Sequence, residues 1–240
     1  SSRRVIAMKR LAGTSGALDF GRFKERLIDS SRTRLLAFIN NAAYGNGTRE
    51  NDPSHMDPVM TAAVCKSFKE IVGIKSAHYG GYPFDDKKGP WDSVDRSVQA
   101  GELCHMPIMV DFAQHLPERT YEEFITKHLR PGDMHTHVYA RHHPIILADG
   151  KVNPALWEAR KRGVLFDVGH GGGSFWFRNG ITAMEQGFPP DSLSTDLHTG
   201  NTANGLVTSV LGVANKFMAM GKSLDEVIYR STWTPAQEIN

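Results

Sequence analysis

Several short apolar segments of the chain end in side chains of the types that carry catalysis or bind metals. Residues 71–75 close on a lysine, residues 109–111 close on an aspartate, and residues 133–137 contain two histidines. Residues 166–173 run into a glycine-rich turn around a histidine, and residues 192–198 contain an aspartate and a histidine. Lysine, carboxylate and imidazole groups at the ends of similar segments predict a common polar site, because five unrelated structural coincidences of this kind are improbable.

Lys75 and Asp111 each have a functional and a structural interpretation. Alternation along a strand places Lys75 on the face of Gly73, with Val72 and Ile74 on the other. A lysine directed into a protein interior is costly unless it is paired, neutralised or modified. The alternative is that the amine reaches solvent at the strand end. Asp111 is either a ligand or a cap of the next turn.

The histidine-containing segments also leave two interpretations open. His135 and His137 lie two positions apart, so a strand would point both imidazoles to one face, where they would suit a divalent metal. The alternative is a hydrogen-bonded structural pair. Asp196 falls on the polar face of its segment with His198, where it could bind metal, act as general base or cap a helix. The glycines after His170, beginning with Gly171, would allow close approach of backbone to a ligand.

Seven short apolar segments, spaced about 30 residues apart, must position these side chains. They are residues 5–8, 35–39, 71–74, 108–110, 134–138, 164–168 and 193–197. The stretches between them carry helix signals, so the pattern predicts repeated strand–helix units and a parallel sheet. Seven units in 240 residues favour a (β/α)₈ barrel, of about 250 residues, over an open sheet. We therefore predict one barrel domain over residues 1–240.

Local signals predict where the helices begin and where the loops lie. Asp57-Pro58 and Asn153-Pro154 are typical of a cap followed by proline in the first turn. Residues 120–123 and 223–226 have the pattern of capping boxes. The longest loops are residues 78–91, 139–151 and 170–181. All three follow a predicted strand, so in a barrel they would lie on the C-terminal face, where active sites are built.

Composition excludes several functional classes. Apolar residues make up 40% of the chain and charged residues 22%, which permits a core and argues against disorder. No segment approaches the roughly 20 apolar residues of a membrane span. A net charge of +2 favours neither nucleic acid nor an anionic membrane as partner. The two cysteines exclude a disulfide scaffold or a cysteine-based zinc ribbon.

Six stretches together resemble the amidohydrolase superfamily, in its dihydroorotase-like amidohydrolase/deacetylase branch. They are VGIK at 72–75, LRPGD at 129–133, TH at 136–137, FDVGHG at 166–171, STDLH at 194–198 and STWTPA at 231–236. They occur in the family's order along most of the chain. The resemblance implies a distorted TIM barrel that holds one or two divalent metal ions, usually Zn²⁺.

The resemblance also implies roles for individual residues. Lys75 corresponds to a lysine that becomes carboxylated and bridges two metal ions, and His137 corresponds to a histidine ligand. Asp196 corresponds to the aspartate that binds metal and shuttles the proton of the attacking hydroxide. Asp111 stands where the family has a histidine ligand, so we expect it to serve as a ligand in its place. The substrate pocket is then expected to include His78, His170, Gly171 and His198.

The family's first-strand His-x-His pair has no counterpart in these 240 residues, and neither has its small β-sandwich. The first segment resembles the second strand of the family, so we expect strand one and the natural N-terminus to precede Ser1. The principal hypothesis is a metal-dependent hydrolase of a non-peptide amide, N-acyl or related acyl bond in a small molecule. The sequence does not determine the compartment, although the cytoplasm is favoured, and a homo-oligomer is compatible with the resemblance, because barrels of this superfamily often pair.

Two alternatives remain at this point. One is a cyclic amidase of the dihydroorotase kind, which needs a cation for its substrate's carboxylate. Arg141 and Arg178 follow predicted strands and are the candidates, although a solvated surface position is the more common state of such arginines. The other is an inactive barrel with a structural or regulatory role, which the substitution at Asp111 and the absent His-x-His pair would explain.

Overall fold

A computed structural model of the protein describes residues 8–80, 83–111 and 115–239. Two compact units make up the chain, residues 1–113 and residues 114–240. Of the strand predicted at 5–8, residues 5–7 lie outside the described residues, and a strand is present at Met8–Ala12. None of the helices in the described part of the chain has the length and apolarity needed to cross a membrane.

The first unit contains four parallel strands that are adjacent in chain order. They are β1 (Met8–Ala12), β2 (Arg34–Asn40), β3 (Ile71–Ser76) and β4 (Ile108–Val110). The predictions at 35–39, 71–74 and 108–110 are therefore confirmed. Asn40 is in register with Lys75, and Lys75 is in register with Met109. The carboxyl ends of β2, β3 and β4 thus lie side by side, as parallel pairing requires.

Helices and short turns connect these strands. They are α1 (Phe20–Phe23), a wider π-type turn at Lys24–Ile28, 3₁₀ turns at Thr48–Asn51 and Pro53–His55, α2 (Pro58–Ser67) and α3 (Asp92–Cys104). The predicted cap of α2 is confirmed, since the Asp57 carboxylate accepts hydrogen bonds from the backbone N–H groups of Val59 and Met60. A side-chain oxygen at this position satisfies donors that have no partner inside the helix.

The glycine of the VGIK motif has a packing role in the core of this unit. Phe38 on β2 is fully buried, and its ring lies over Gly73 on β3. A Cβ atom on Gly73 would stand 2.2 Å from Cε1 of Phe38. Only glycine admits the ring here, and the same strand then carries Lys75 two residues later. In the VGIK motif, the glycine therefore allows the close packing of Phe38, and the lysine two residues later is buried.

The second unit contains a parallel pair of short strands and six helical segments. The strands are β5 (Met134–His135) and β6 (Leu165–Phe166), and the helices are α4 (Tyr121–Glu123, continued by a π-type turn at Phe124–His128), α5 (Pro154–Lys161), α6 (Phe177–Glu185), α7 (Thr199–Ala203), α8 (Val210–Ala219) and α9 (Leu224–Gln237). The side chains of Thr120, Asn153 and Ser223 cap α4, α5 and α9, as the sequence predicts.

Residues 193–197, predicted as the last strand, form no strand, and an isolated parallel bridge joins Asp167 to Ser192 just before them. Backbone N–H groups of His170 and Gly171 still donate to the carbonyl groups of Ser194 and Thr195. The segment therefore runs beside residues 167–171 without becoming a regular strand. The positive φ of Asp196, 45°, interrupts the extended backbone that a strand requires.

Candidate active site

The structure buries Lys75 at the carboxyl end of β3. The residue is 6% exposed, and its amine forms no hydrogen bond or ion pair with the residues that the structure describes. Gly13, at φ +75°, gives the lysine stem its space, because a Cβ atom there would lie 2.8 Å from Cγ of Lys75. A buried cation without a carboxylate partner is costly. The low exposure of Lys75 argues against the interpretation in which its side chain extends into solvent.

His78 follows β3 and lies between two carboxylates of the same unit. Its Nδ1 is 3.2 Å from Oε2 of Glu50, and its Nε2 is 3.7 Å from Oδ2 of Asp111. The hydrogen bond to Glu50 raises the pKa of His78, against a lowering by burial, and Asp111 raises it further. The two carboxylates therefore stabilise the charged form of His78 relative to that of a free histidine. We call Glu50, Lys75, His78 and Asp111 the Lys75 cluster.

Glu50 is a member of the Lys75 cluster that the sequence analysis missed. It is buried, and its Oε1 accepts a hydrogen bond of 2.6 Å from Nδ2 of Asn40 at the end of β2. Its Oε2 accepts from the backbone N–H of Gly47 at 3.0 Å. The only sequence signal was an acidic residue in a polar loop, which is too common to indicate a buried carboxylate.

His137 lies in the second unit, beyond the end of β5, with φ +60°. Its Nδ1 is 2.6 Å from the carbonyl oxygen of Gly169. Since a carbonyl oxygen only accepts, Nδ1 carries the proton, and Nε2 is the ring atom with a lone pair in the neutral form. A histidine held in this way by a backbone carbonyl is typical of metal ligation through its other nitrogen.

The expectation that His135 and His137 share one face is wrong. The strand ends at His135, and the positive φ of His137 breaks the alternation on which the expectation depended. The buried His135 ring packs against Tyr121, Phe124 and Phe166. The structure therefore separates a histidine of the apolar core from one that faces Gly169.

Asp167 organises the surroundings of His137. The residue is 1% exposed, and its carboxylate accepts hydrogen bonds from the hydroxyl groups of Thr136, Ser192 and Ser194 at 2.7–2.8 Å. Ser194 also accepts from the backbone N–H of Gly169, whose carbonyl receives the His137 proton. The buried Asp167 carboxylate, with its three donors, therefore fixes a hydrogen-bond network that reaches the His137 imidazole through Ser194 and the backbone of Gly169.

Replacement of Asp167 by alanine is expected to destabilise the protein by about 3 kcal/mol, because it leaves the buried hydroxyl groups of Thr136 and Ser192 and the half-buried one of Ser194 without their acceptor. Chemical denaturation monitored by circular dichroism measures the change. The matched control is Asp86→Asn, at an exposed position, for which we expect a change within about 0.5 kcal/mol. Equal stability of the two variants would contradict the assigned role of Asp167.

His170 and Gly171 form the turn after this network. The His170 ring is buried, stacks on Phe175 with centroids 4.6 Å apart, and bonds the carbonyl oxygen of Gly171 through Nδ1. Its Nε2 accepts a hydrogen bond of 3.2 Å from the amine of Lys216 on α8. Burial lowers the pKa of His170, and the charge of Lys216 lowers it further, so the ring is held neutral.

Asp196 is exposed beside this turn, and a Cβ atom on Gly171 would lie 2.8 Å from its Oδ2. Glycine at 171 therefore permits the close approach of the carboxylate. The cap of α7 is His198 and not Asp196, since Nδ1 of His198 accepts from the backbone N–H of Gly200 at 3.2 Å. The structure thus gives His198 the capping role and leaves Asp196 with an exposed carboxylate.

A second group of histidines in this unit was missed by the sequence analysis. Nε2 of His115 is 3.0 Å from Nδ1 of His143, and His143 packs on His135 and Tyr121. Burial lowers the pKa of His115 to about 4, with further contributions from the charges of His142 and Arg119. His115 and His143 lie in loops and His135 lies at the end of β5. Because these three histidines are far apart in the chain, no local sequence pattern indicates that they are in contact.

We expect the second unit to lose stability in acid because of His115. A histidine with a folded-state pKa of about 4 binds fewer protons than the unfolded chain, whose histidine pKa is about 6.5. Its contribution is present above pH ~6.5 and is lost as the pH falls toward 4. Melting temperatures between pH 7.5 and 4.5 should fall less steeply for His115→Gln, which keeps a polar group but does not titrate. Parallel curves for the two proteins would contradict this assignment.

The comparison with known proteins shows similarity along almost the whole chain. A deacetylase from Enterococcus faecalis is 27% identical over 235 residues, which are 95% of this chain and 62% of that protein. A deacetylase from Brucella anthropi is 28% identical over 240 residues, covering 95% of this chain and 57% of that protein. A crystal structure of an adenine deaminase superposes with a TM-score of 0.88 at 25% identity, covering 97% of this chain and 63% of the other.

These similarities indicate the amidohydrolase superfamily. A crystal structure of a dihydroorotase agrees, with a TM-score of 0.81 at 25% identity, covering 100% of this chain and 66% of that one. The α/β barrel fold class predicted from the sequence is confirmed by these neighbours. No protein-family model matches the chain. The chain spans less than two thirds of the length of the deacetylases that it matches.

The metal that the amidohydrolase superfamily implies can be tested against the residues present. Among residues 8–80, 83–111 and 115–239, no group of three or more His, Cys, Asp and Glu side chains is arranged to hold a metal ion. Buried Lys75 fits a metal ion in its carboxylated form, because carboxylation turns the cation into an anionic oxygen ligand. His137, with its proton fixed on Nδ1, fits as a nitrogen ligand.

Proposed function

We propose that this amidohydrolase hydrolyses a C–N bond of a small amide or N-acyl compound, with the help of one or two divalent metal ions such as Zn²⁺. The observation that carries the proposal is the buried, unpaired Lys75 in a chain similar over 95% of its length to two deacetylases. Carboxylation of Lys75 would support this function, because it would replace a buried cation by an anion that can bind metal.

The proposed metal ligands are Lys75, Asp111, His137 and Asp196, because the resemblance to the superfamily assigns these roles to them. When bound, the metal lowers the pKa of water to near 7 and polarises the scissile carbonyl. The residues of the chain then perform defined tasks. Gly169 holds the proton of His137 on Nδ1, and Asp167 fixes the loop that carries Gly169 through Ser194.

Proton transfer falls to Asp196 in this mechanism. Its carboxylate is exposed, so it can take the proton of the attacking water and deliver it to the departing nitrogen. Neutral His170, its ring fixed by Gly171, Lys216 and Phe175, is proposed to contact the substrate with Gly171. His78, held by Glu50, and His198 are proposed to line the substrate pocket.

The test is a metal analysis of the purified protein together with turnover of a panel of N-acetylated amino acids, amines and sugars. We expect bound divalent metal and hydrolysis of at least one N-acyl bond, with loss of turnover after chelation and recovery on addition of Zn²⁺. Metal-loaded, folded protein that cleaves no compound of the panel or of a cyclic amide panel would overturn the proposal in favour of an inactive scaffold.

A cyclic amidase is the second candidate, and one observation favours it. The guanidinium carbons of Arg141 and Arg178 lie 5.5 and 5.6 Å from the centroid of the Trp176 ring. Both arginines are exposed. The backbone N–H of Trp176 donates a hydrogen bond to the carbonyl oxygen of Tyr139, which lies two residues after His137. Two cations on one aromatic ring in the loops of the candidate site are suited to a substrate carboxylate.

The two candidates differ in their response to loss of these cations. In a cyclic amidase, Arg141→Gln with Arg178→Gln should raise KM at least about tenfold for a ring amide that bears a carboxylate, an energetic loss of about 1.4 kcal/mol. KM for a neutral cyclic imide should not change. An equal effect on both substrates would argue against carboxylate recognition by these arginines.

A further inference from the structure

His78 stands beside the aspartate that belongs to the proposed metal site. Its Nε2 lies 3.7 Å from Oδ2 of Asp111. This separation is too long for a hydrogen bond, which requires about 3.2 Å or less. It is close to the separation of two ligand atoms of one zinc ion, because bonds of about 2.1 Å at tetrahedral angles hold such atoms about 3.4 Å apart. The two side chains are therefore spaced to share a cation.

The backbone of the first unit brings these two residues together. β3 and β4 pair in parallel, with Ser76 in register with Val110, and the backbone N–H of Asp111 donates to the carbonyl oxygen of Ser76 at 2.9 Å. Lys75 precedes Ser76, and His78 follows it by two residues. Lys75, His78 and Asp111 therefore lie at the carboxyl ends of two adjacent strands.

A buried carboxylate fixes the ring of His78. Oε2 of Glu50 lies 3.2 Å from Nδ1 of His78, and Glu50 is 1% exposed. Since an ionised carboxylate only accepts, Nδ1 carries the shared proton, and Nε2 has the lone pair in the neutral ring. His137 is held in the same way by the carbonyl group of Gly169. A hydrogen bond of this kind at one ring nitrogen orients the other nitrogen for a metal ion.

The backbone of His78 is in the left-handed region, at φ 55°. Among the residues that the structure describes, two of the proposed ligands, His137 and Asp196, also have positive φ. This conformation is strained in a residue other than glycine, and it is maintained at functional sites where the surroundings fix it. Here it sets the ring between Glu50 and Asp111. The His78 side chain is 56% exposed, so an ion can reach it from solvent.

We propose that His78 is a further ligand of the divalent metal ion, through Nε2, beside the ligand Asp111. The inference rests on the metal site of the proposed function and adds a residue to it. Asp111 stands where the resemblance implies a histidine, and His78 supplies an imidazole from the end of the adjacent strand. His78 and Asp111 are only two side chains, so the proposal agrees with the absence of a group of three His, Cys, Asp and Glu ligands from the described part of the chain.

The first test compares the Zn²⁺ affinity of the wild type with that of His78→Asn. Asparagine tolerates the left-handed backbone and keeps a donor for Glu50, but it has no atom in the position of Nε2. We expect the dissociation constant for Zn²⁺, measured by competition with a chelator, to rise at least about 100-fold, because loss of a ligand costs more than the about 10–100-fold that loss of an outer hydrogen bond costs. The visible absorption spectrum of the Co²⁺-loaded protein should also change.

His55→Asn is the matched control, because Nε2 of His55 lies 3.8 Å from Oδ2 of Asp52, outside the candidate site. Its Zn²⁺ affinity and Co²⁺ spectrum should equal those of the wild type. His78→Asn with wild-type affinity and spectrum would overturn the inference and leave the proposed function in place. Metal binding that depends on His78, in a protein that cleaves no compound of the panels, would support the inference and overturn the function. A wild-type protein that binds neither ion would overturn both.

A measurement on the wild-type protein decides the inference even where His78→Asn does not fold. Diethyl pyrocarbonate modifies accessible imidazole nitrogens, and the side chains of His78 and His55 are 56% and 33% exposed. Peptide mass analysis should show His78 modified in the metal-free protein and protected after loading with Zn²⁺, with His55 modified equally in both samples. Equal modification of His78 in the two samples would contradict ligation through Nε2.

Discussion

Replacement of Asp196 by asparagine is expected to lower kcat by about 10²–10⁴-fold on whichever N-acyl substrate the protein accepts. Asparagine has nearly the same shape, so it preserves the close approach of residue 196 to Gly171. Its amide cannot take a proton from water or deliver one to the departing nitrogen. Steady-state kinetics of the metal-loaded variant, with metal content measured on the same sample, gives the result.

The metal content separates the two tasks assigned to Asp196. Retained metal with a lowered kcat indicates that proton transfer is the main loss, whereas loss of both indicates that ligation dominates. Asp149→Asn is the matched control, since Asp149 is also an exposed aspartate of the second unit, and its kinetics should equal those of the wild type. Wild-type turnover of Asp196→Asn on every accepted substrate would show that the assigned role is wrong.

Replacement of Lys75 by alanine is expected to remove bound metal and to lower kcat/KM by at least about 10³-fold, since it deletes the proposed anionic ligand. Truncation also leaves a cavity beside Gly13 where the lysine stem lies. A small carboxylate such as formate or acetate can enter such a space and supply the missing oxygen ligand. Added formate should therefore restore part of the metal content and part of the turnover.

The rescue distinguishes a ligand from a structural lysine. If Lys75 had only a structural role, formate would restore neither metal content nor turnover in Lys75→Ala. If Lys75 is a metal ligand, formate should restore both together. Lys69→Ala, at an exposed position before β3, is the matched control and should change neither. Full metal content and turnover of Lys75→Ala without formate would contradict the proposed carboxylated lysine.

The sequence by itself determined the elements that depend on short-range patterns. Apolar runs located β2, β3 and β4, because a strand buried on both faces needs a continuous apolar segment. Asp57 and Asn153, each followed by proline, located the starts of α2 and α5, because a cap satisfies donors only two or three residues away. The order of the six sequence motifs indicated the superfamily, in agreement with the comparisons with known proteins.

The tertiary structure alone decided which of the candidate side chains meet. The positive φ of His137 and Asp196 ended the alternation that the sequence suggested, and it redirected both side chains from the faces expected for a strand. Contacts between residues 28 or more positions apart, such as His78 with Glu50 and His137 with Gly169, leave no periodic signal in the sequence. A local pattern reports local backbone preference, whereas a site is built from long-range hydrogen bonds and packing, which only the folded chain brings together.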